Sequence, residues 1–280
     1  MENSKIPKTE ARNPFSAHID KMTTAEMVAC IQRENENAVS AVGAASAQIE
    51  KACDITAKRL SDGGRLFYVG AGTSGRLGVL DAAECPPTFG VPRDLVVGII
   101  AGGERCLVQA AEREEDHAEY GARDLKAHNL NGKDVVVGIS ASGNAKYVVG
   151  ALKYAKELGC ATVSVTSNED SRLAECADVP IVVDTGAEVI TGSTRMKAGT
   201  AQKLILNTIS TVTMIKLGKV YENMMINLRP TNEKLMRRMV RTVTEITGAE
   251  EEKARELLDF SGWDIRAAVE LYRGEKGEKQ

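Results

Sequence analysis

The stretch Leu66-Phe-Tyr-Val-Gly-Ala-Gly-Thr-Ser-Gly75 decides the fold class of this 280-residue chain. Its apolar run leads directly into a loop of glycines and hydroxyl side chains. A second apolar run, Val135-Val-Val137, leads in the same way into Gly138-Ile-Ser-Ala-Ser-Gly143. Buried strands that end in such loops are typical of α/β proteins in which backbone N–H groups and hydroxyls hold a phosphate. We therefore predict a phosphate-binding α/β fold.

Five apolar runs predict a parallel sheet. Most of them are rich in valine and isoleucine and do not alternate with polar residues, which is typical of strands covered on both faces. Helical patterns separate most of the runs, including 105–128 and 146–158, and this alternation favours a doubly wound sheet between two layers of helices. The predicted strands are residues 65–70, 95–101, 134–139, 161–166 and 179–183.

Changes in sequence character predict four segments. The first is an irregular lead-in followed by a long helix, which Thr23 or Thr24 caps and which ends near Leu60. The α/β core follows and closes with an amphipathic helix over 196–218. Beyond Pro230 three short helices form a small appendage, and the charged end of the chain is predicted to be disordered. The segments are residues 1–60, 61–228, 229–275 and 276–280, and the short helices are 231–247, 250–259 and 263–273.

Composition argues against several function classes. A net charge of −3 and an aromatic content of 4% give no basis for a nucleic-acid partner. No apolar run approaches the about 20 residues needed to span a membrane. The six cysteines form no C-x-x-C pair and the chain has three histidines, so we predict no metal site. Scattered cysteines and a polar amino-terminal stretch favour a reduced, cytoplasmic protein.

The two loops leave open whether the phosphate belongs to a nucleotide or to a sugar. A dinucleotide fold needs an acidic residue about 20 residues after the first loop to bind the ribose. Glu104 is the nearest candidate, but it comes later than that spacing requires, and the second loop has no task in a dinucleotide site. A Walker loop is excluded because no Lys-Ser or Lys-Thr pair follows the glycines. A sugar phosphate is therefore the favoured ligand.

A single phosphate suits both loops. Ser140, Ser142 and the N–H groups of residues 141–145 are predicted to surround it at the start of the following helix, whose dipole favours an anion. Thr73 and Ser74 follow a neighbouring strand and are predicted to reach the sugar or the same phosphate. The alternative is that these residues serve only the geometry of the turns.

Five longer motifs resemble those of a known family. The motifs are Gly70–Gly90, Glu188–Lys203, Leu217–Tyr221, Leu228–Lys234 and Thr9–Asn13. They resemble those of the N-acetylmuramic acid 6-phosphate etherases, whose core is a sugar isomerase (SIS) domain, and the resemblance covers roughly residues 8–247. The resemblance implies a three-layer α-β-α SIS-type domain with a five-stranded parallel sheet. The appendage at 231–273 is similar to a ubiquitin-associated-like three-helix fold, which we interpret as support for packing or dimerisation.

The resemblance also implies an activity. Etherases of this family cleave the D-lactyl ether of N-acetylmuramic acid 6-phosphate and release N-acetylglucosamine 6-phosphate and D-lactate. The implied protein is a homodimeric carbon–oxygen lyase of amino-sugar catabolism, which recycles peptidoglycan sugar without a metal or an organic cofactor.

Two carboxyl groups are implied as catalysts. Elimination of an unactivated ether needs a base that removes the C2 proton and an acid that protonates the leaving oxygen, and water then adds to the intermediate. By resemblance the acid is Glu84, and the apolar neighbours in 82–87 are expected to favour its protonated form. The alternative is a plain surface acid at a helix end. The base is Glu115, with Glu114 as the alternative of a one-residue shift.

Further site residues lie within and directly after the stretch Thr191-Gly-Ser-Thr194. The resemblance implies that Ser193, Arg195 and Lys197 belong to the substrate site together with Gly143. Either cation would neutralise the phosphate, the lactyl carboxylate or the negative intermediate. The alternative for the two cations is an ion pair at the start of a helix.

The chain departs from the family pattern beside these residues. Asn144-Ala145-Lys146 stand where members commonly carry Arg-Thr-Pro, Arg113 replaces a usual glycine, and Ser140 stands where alanine is frequent. These changes put substrate affinity and exact substrate identity in question.

Two other functions compete with the etherase. One is a non-catalytic phosphosugar-binding regulator related to glucokinase regulatory protein, and the presence of both Glu84 and Glu115 argues against it. The other is an SIS-type sugar-phosphate isomerase, which usually needs a ring-opening histidine or a lysine. None of the three histidines lies near either loop in the sequence.

Overall fold

The chain forms two compact units in a computed structural model that describes residues 7–109 and 113–276. The first unit consists of the described residues up to Ala83 and of those from Arg93 to Thr213. The second consists of Glu84–Pro92 and of the described residues from Met214 onward. The segment bounds drawn from the sequence remain predictions, and the end of the predicted tail, residues 277–280, lies outside the described residues.

The first unit contains a five-stranded parallel sheet, as predicted. Its strands have the order β2-β1-β3-β4-β5, and every neighbouring pair is parallel. β1 and β3 lie inside the sheet and are buried along their whole length, which explains their apolar runs. The strands are β1 (Leu66–Gly70), β2 (Val96–Ile100), β3 (Val135–Ile139), β4 (Ala161–Thr166) and β5 (Val179–Val182).

Eight helices accompany the sheet along the described chain. They are α1 (Thr24–Ala44), α2 (Ser46–Ser61), α3 (Gly72–Phe89), α4 (Arg105–Val108), α5 (Ala118–Ala127), α6 (Lys146–Glu157), α7 (Arg172–Cys176) and α8 (Lys197–Lys216). A core cluster joins β1 and β3 to α5 and α6 through buried side chains that include Phe67, Val136, Leu125, Tyr147 and Leu152. This alternation of strands and helices confirms the α/β class.

The long helix predicted to end near Leu60 is two helices. Thr23 caps α1 with a capping box. Its hydroxyl oxygen accepts the backbone N–H of Glu26, and the Glu26 carboxylate accepts the backbone N–H of Thr23. The helix stops at Ala45, whose φ of −92° and ψ of 10° leave the helical range. The Ser46 hydroxyl donates to the carbonyl of Gly43 and stabilises this turn. The prediction of one helix was therefore wrong, because a turn at the single residue Ala45 separates α1 from α2.

The predicted helix over 105–128 is also interrupted. α4 ends at Val108, a 3-10 turn occupies Glu114–Asp116, and α5 begins at Ala118. Gln109 is extended, and Arg113 has a φ of 75°, a value that an α-helix does not tolerate. The interruption places the acidic residues of this region in a connection after β2.

The second unit has its own helical core. A short antiparallel pair, β6 (Val220–Tyr221) and β7 (Met224–Met225), precedes α9 (Glu233–Thr247), α10 (Glu251–Phe260) and α11 (Ile265–Lys276). The three helices bury a common cluster that includes Met239, Val243, Leu258, Ile265 and Ala268. This confirms the predicted three-helix appendage. Within residues 7–109 and 113–276, every helix is too short or too polar to cross a membrane.

Candidate active site

The two glycine- and serine-containing loops follow β1 and β3, the neighbouring strands between which the strand order of the sheet reverses. β1 lies between β2 and β3, and Gly70 is paired with Ile139 at the carboxyl ends of β1 and β3. In sheets of this order, ligands bind in the crevice outside the carboxyl ends of these two strands. The residues that directly follow Gly70 and Ile139 therefore border one candidate site.

Residues 140–144, here called the serine loop, present hydroxyl groups. The Ser140 and Ser142 Oγ atoms lie 3.4 Å apart. The N–H of Gly143 donates to Ser140 Oγ at 3.1 Å, and the N–H of Asn144 donates to Ser142 Oγ at 3.3 Å. Both oxygens accept from the backbone, and the contact between the two hydroxyls uses at most one of their two protons, so at least one hydroxyl proton is left to donate to a ligand.

Gly143 gives the serine loop its shape. Its φ of 69° lies in the left-handed region, which glycine adopts without a steric cost. A Cβ at this position would lie 2.4 Å from the Ser171 side chain and 2.6 Å from Thr166 Oγ1. Only glycine therefore fits this turn, so the site role predicted for Gly143 is one of backbone geometry.

The start of α6 adds backbone donors beside the serine loop. Ala145 precedes the helix and supplies no side-chain cap. The first N–H groups of a helix lack partners within the helix, and they stabilise an anion when no side chain caps them. The replacement of the family's usual Arg-Thr-Pro by Asn144-Ala145-Lys146 therefore leaves this backbone feature in place.

The first loop, residues 70–75, runs directly into α3, which begins at Gly72 and already includes Thr73 and Ser74. Ser74 is 8% exposed, and its hydroxyl donates to Gln202 Oε1 on α8 at 2.9 Å. Gln202 Nε2 is buried and has no hydrogen-bond partner in the described part of the chain. Since the Ser74 proton is already in use, the half-buried Thr73 is the stronger candidate of the two for contact with a ligand.

The start of α8 lies beside the first loop. A Cβ at Gly199 would be 3.5 Å from Thr73 Cγ2 and 3.5 Å from the carbonyl oxygen of Thr194. The connection before α8 carries Ser193, which is half-buried, and Arg195, which is exposed. The structure thus brings the Thr-Gly-Ser-Thr stretch to the same side of the sheet as Thr73.

The side chain of Lys197 forms a buried ion pair, which argues against the predicted contact with the substrate. It is 1% exposed, and its ammonium donates to Glu34 Oε2 on α1 at 2.6 Å. Asn13 Nδ2 donates to the same oxygen at 2.7 Å. Burial raises the pKa of the Glu34 carboxyl, but the hydrogen bonds from Lys197 and Asn13 and the charge of Lys197 outweigh burial and lower it below its ordinary value. Lys197 therefore has the ion-pair geometry that the sequence left as the alternative.

A second buried carboxylate caps α8. Both oxygens of Glu188 accept backbone N–H groups, from Lys197 and from Ala198, each at 3.0 Å. Glu188 is 1% exposed. A carboxylate at a helix amino terminus satisfies unpaired donors and stabilises the helix dipole. This contact fixes the end of the connection that carries Ser193 and Arg195.

Glu84 lies near the end of α3, among the residues of the second unit, and its side chain is exposed. Glu84 is not enclosed by the apolar residues expected around it, because the helix turns Ala82 and Cys85 inward and leaves Glu84 exposed. Apolar neighbours in the sequence do not produce an apolar site on a helix, since successive side chains point in different directions. The expectation about its surroundings was therefore wrong for the single chain.

The other predicted carboxyl occupies the 3-10 turn after β2. Glu115 is exposed, whereas the neighbouring Glu114 is partly buried and forms an ion pair with Arg105. The Glu114 side chain lies over Gly102, where an added Cβ would be 2.9 Å from its Cγ. Arg113 adopts a φ of 75° at the position where the family usually has glycine, which explains that preference. Of the two carboxylates, Glu114 is held in the ion pair with Arg105, and the exposed Glu115 remains our candidate base.

Several residues of this region were not predicted from the sequence. Glu34, Glu188 and Gln202 are buried and act through other side chains or through backbone groups. Asn13, Glu188 and Gln202 lie within the motifs at positions to which the sequence assigned no role, whereas Glu34 lies outside them. The contacts join residues as far apart as 163 positions, so no local pattern reveals them.

Among the described residues, no group of three or more histidine, cysteine, aspartate or glutamate side chains is arranged to hold a metal ion. The absence of a cofactor remains a prediction.

Three family models match the chain. A glucokinase regulatory protein N-terminal SIS domain matches residues 48–156, an SIS domain matches 115–211, and a UBA-like domain matches 237–272. Solved phosphoheptose isomerases share the fold. The one from Francisella tularensis has a TM-score of 0.54 at 17% identity and covers 69% of this chain and 98% of its own. The one from Neisseria gonorrhoeae has a TM-score of 0.53 at 20% identity, with 68% and 98% covered.

Curated relatives are more similar in sequence. An N-acetylmuramic acid 6-phosphate etherase of Serratia proteamaculans is 50% identical over 261 residues, which are 93% of this chain and 88% of the relative. The etherase of Clostridium beijerinckii is 50% identical over 267 residues, or 95% and 88% of the two chains.

Proposed function

Because this chain belongs to the N-acetylmuramic acid 6-phosphate etherase family, we propose that it cleaves the D-lactyl ether of N-acetylmuramic acid 6-phosphate. The products are N-acetylglucosamine 6-phosphate and D-lactate, and the reaction serves the recycling of cell-wall sugar. The observation that carries the proposal is the serine loop at the β1–β3 crevice, within a chain that is 50% identical to named etherases over 93% of its length.

The phosphate is proposed to bind in the crevice. Ser140 and Ser142 donate hydroxyl protons, and the uncapped start of α6 faces the anion. Thr73, Ser193 and the exposed Arg195 approach from the first loop and from the start of α8. Ser74 and Lys197 support this arrangement through Gln202 and Glu34 rather than through direct contact.

The chemistry is proposed to be an elimination followed by water addition. The C2 proton is acidic when the open-chain sugar carries a carbonyl at C1, and Glu115 removes it. The electron pair of that C–H bond forms the C2–C3 double bond as the C3–O bond breaks, and Glu84 donates a proton to the leaving D-lactate oxygen. Water then adds at C3 and a proton returns to C2, with the two carboxyl groups in exchanged roles. Carbon–oxygen bond cleavage by elimination makes the enzyme a lyase.

Assembly and location are part of the proposal. The chain is proposed to act as a cytoplasmic homodimer, without a nucleic-acid or membrane partner. Large apolar side chains are exposed on α1 and just before it, namely Val28, Val39 and Phe15. A helix with such side chains in water gains stability when another surface covers it. Light scattering of the protein as it elutes from a size-exclusion column would give twice the 30.1 kDa chain mass if the homodimer forms.

The activity test uses N-acetylmuramic acid 6-phosphate in deuterated water. We expect release of D-lactate and incorporation of deuterium at C2 of the sugar product. Absence of lactate would contradict the etherase, and lactate without deuterium would contradict the elimination.

The role of each carboxyl is tested by substitution. We expect Glu84→Gln and Glu115→Gln to lower kcat by about 100-fold to 10,000-fold, since each removes a proton-transfer group. Glu157→Gln, at the exposed end of α6, is the control for Glu84, and Glu114→Gln is the control for Glu115. A fall in kcat for Glu114→Gln but not for Glu115→Gln would assign the role of base to Glu114 instead.

A further inference from the structure

Residues 8–16, here called the N-terminal clamp, are held against the connections that build the crevice. Thr9, Asn13 and Ser16 are each buried, although Thr9 and Ser16 lie in short 3-10 turns and Asn13 caps the second of them. Their side chains bond to residues that follow β4 and β5. The activity proposed above assigns them no part.

We propose that the N-terminal clamp positions the serine loop through Asn168, so that Thr9 and Asn168 are positioning residues that set affinity for the phosphate of the substrate. The identity of that substrate rests on the proposed function, whereas the contacts do not. The inference also explains why a motif at Thr9–Asn13 accompanies the two long motifs of the site.

Asn168 is the link between the clamp and the serine loop. Its Nδ2 lies 3.3 Å from the carbonyl oxygen of Ala141 and 3.2 Å from that of Ser142, and it donates to both. The same amide nitrogen donates to Thr9 Oγ1 at 3.1 Å, so one of its two protons is shared between two of these three acceptors. The backbone N–H of Asn168 donates to Thr166 Oγ1 at 3.2 Å, which ties the residue to the end of β4. One side chain therefore holds two peptide groups of the loop and one clamp residue.

Holding these carbonyl groups fixes the donors on the opposite side of each peptide. A trans peptide is planar, and its C=O and N–H point in opposite directions. The carbonyls of Ala141 and Ser142 belong to the same peptide groups as the N–H of Ser142 and of Gly143. The Gly143 N–H in turn donates to Ser140 Oγ and orients that hydroxyl. Asn168, together with the Ser167 N–H that also donates to the Ala141 carbonyl at 3.0 Å, thus fixes the orientation of these two peptide groups beside the proposed phosphate site, without contact with the ligand itself.

The clamp is anchored on its other side, so Thr9 is not free to move away. Asn13 Nδ2 donates to the carbonyl of Ala187 at 2.9 Å, and the Ser16 hydroxyl donates to the carbonyl of Val189 at 2.7 Å. Lys8 forms an ion pair with Asp184. These contacts bind the clamp to the connection between β5 and α8, which carries Ser193 and Arg195. A single segment therefore relates the serine loop to that connection.

The test compares Thr9→Val and Asn168→Ala with the unaltered enzyme. Thr56→Val is the matched control, because the Thr56 hydroxyl is also buried and makes one hydrogen bond, to Ala52 within α2. The measured quantities are kcat and KM for the substrate, the inhibition constant of inorganic phosphate, and the melting temperature. Thr9→Val preserves side-chain volume and keeps the test decisive if Asn168→Ala does not fold.

We expect KM and the phosphate inhibition constant to rise together. The rise should be about tenfold in Asn168→Ala and about threefold in Thr9→Val, with kcat within about twofold, since one or two hydrogen bonds that shape the binding loop are lost. Thr56→Val should lower the melting temperature without a change in either constant. Unchanged constants in Thr9→Val and Asn168→Ala, or a fall in kcat with unchanged phosphate inhibition, would overturn the proposal.

Failure of the proposed function gives a separate result. If the unaltered protein releases no D-lactate, the etherase activity is wrong, and the clamp is judged by calorimetric binding of N-acetylglucosamine 6-phosphate. We then expect the same rise in the dissociation constant for the two clamp variants and none for Thr56→Val. Equal dissociation constants for the unaltered protein and all three variants would overturn the proposal that the clamp positions the serine loop.

Discussion

The two glycine- and serine-containing loops follow adjacent strands, yet they leave different atoms for a ligand. In the first loop Ser74 donates its hydroxyl proton to Gln202 of α8. In the serine loop the hydroxyl oxygens accept backbone N–H groups and retain a proton to donate. The comparison teaches that similar loop sequences serve two tasks. The first joins β1 to α8, and the second presents donors to an anion.

The glycines of the two loops differ in the same way. A Cβ at Gly75 would lie 2.6 Å from Ile100 Cγ1 and 2.7 Å from the carbonyl oxygen of Gly70, so this glycine is required by close packing. Gly143 is required by its φ of 69° as well as by its neighbours. The first loop is thus supported by α8 and β2, and the serine loop by the residues that follow β4.

The largest expected effect on stability comes from the buried ion pair between Lys197, at the start of α8, and Glu34. Glu34→Gln removes the charge that pairs with buried Lys197, and we expect a loss of about 3–5 kcal/mol in the free energy of unfolding at pH 7. Because the folded-state pKa of Glu34 is lowered, its contribution is fully present above its ordinary value of 4.5 and is lost as the pH falls through the folded value. Chemical denaturation should therefore show a gap between variant and parent that narrows below pH 4.5. Glu36→Gln, on the exposed face of α1, is the control.

A smaller loss is expected from crowding the first loop. Gly75→Ala should cost about 3 kcal/mol of unfolding free energy, since the new methyl group overlaps backbone atoms that cannot move aside. Gly43→Ala is the matched control, because a Cβ there would meet nothing within 4 Å. It should be neutral or slightly stabilising by up to about 1 kcal/mol. Equal stability of the two variants in urea denaturation would show that the first loop is not closely packed.

The serine loop is expected to respond in binding rather than in stability. Ser142→Ala removes a hydroxyl donor at the crevice, and we expect KM for the phosphosugar to rise about tenfold, which corresponds to about 1.4 kcal/mol. The free energy of unfolding should change by less than about 0.5 kcal/mol, because the side chain is partly exposed. Steady-state kinetics and urea denaturation measure the two quantities. An unchanged KM would contradict the assignment of Ser142 to the phosphate.

Ser74→Ala is expected to give the reverse pattern with the smallest effect. Gln202 Oε1 would lose its donor in a buried place, so we expect a loss of about 1 kcal/mol in stability. KM should change by less than in Ser142→Ala, since the Ser74 hydroxyl is already bonded within the protein. If Ser74→Ala raises KM as much as Ser142→Ala does, the difference between the two loops disappears and Ser74 contacts the ligand directly.

Part of the site could be predicted from the sequence, because local patterns carry it. The apolar runs predicted buried strands at 65–70 and 134–139, and the residues after them predicted two loops that hold a phosphate. The carboxyl groups could be assigned only by resemblance. The environment of Glu84 could not be predicted, because the direction in which a helix presents each side chain depends on what packs against the helix.

The sequence by itself determined the α/β class, the parallel strands, the helical appendage and the family, because strand and helix periodicities and long motifs are local properties. The tertiary structure alone decided the partners: Lys197 with Glu34, Ser74 with Gln202, and Asn168 with Thr9 and the serine loop. The physical reason is that a buried polar group must find a partner of matching charge or hydrogen-bonding capacity. Which partner it finds depends on distances between residues far apart in the chain, and those distances exist only after folding.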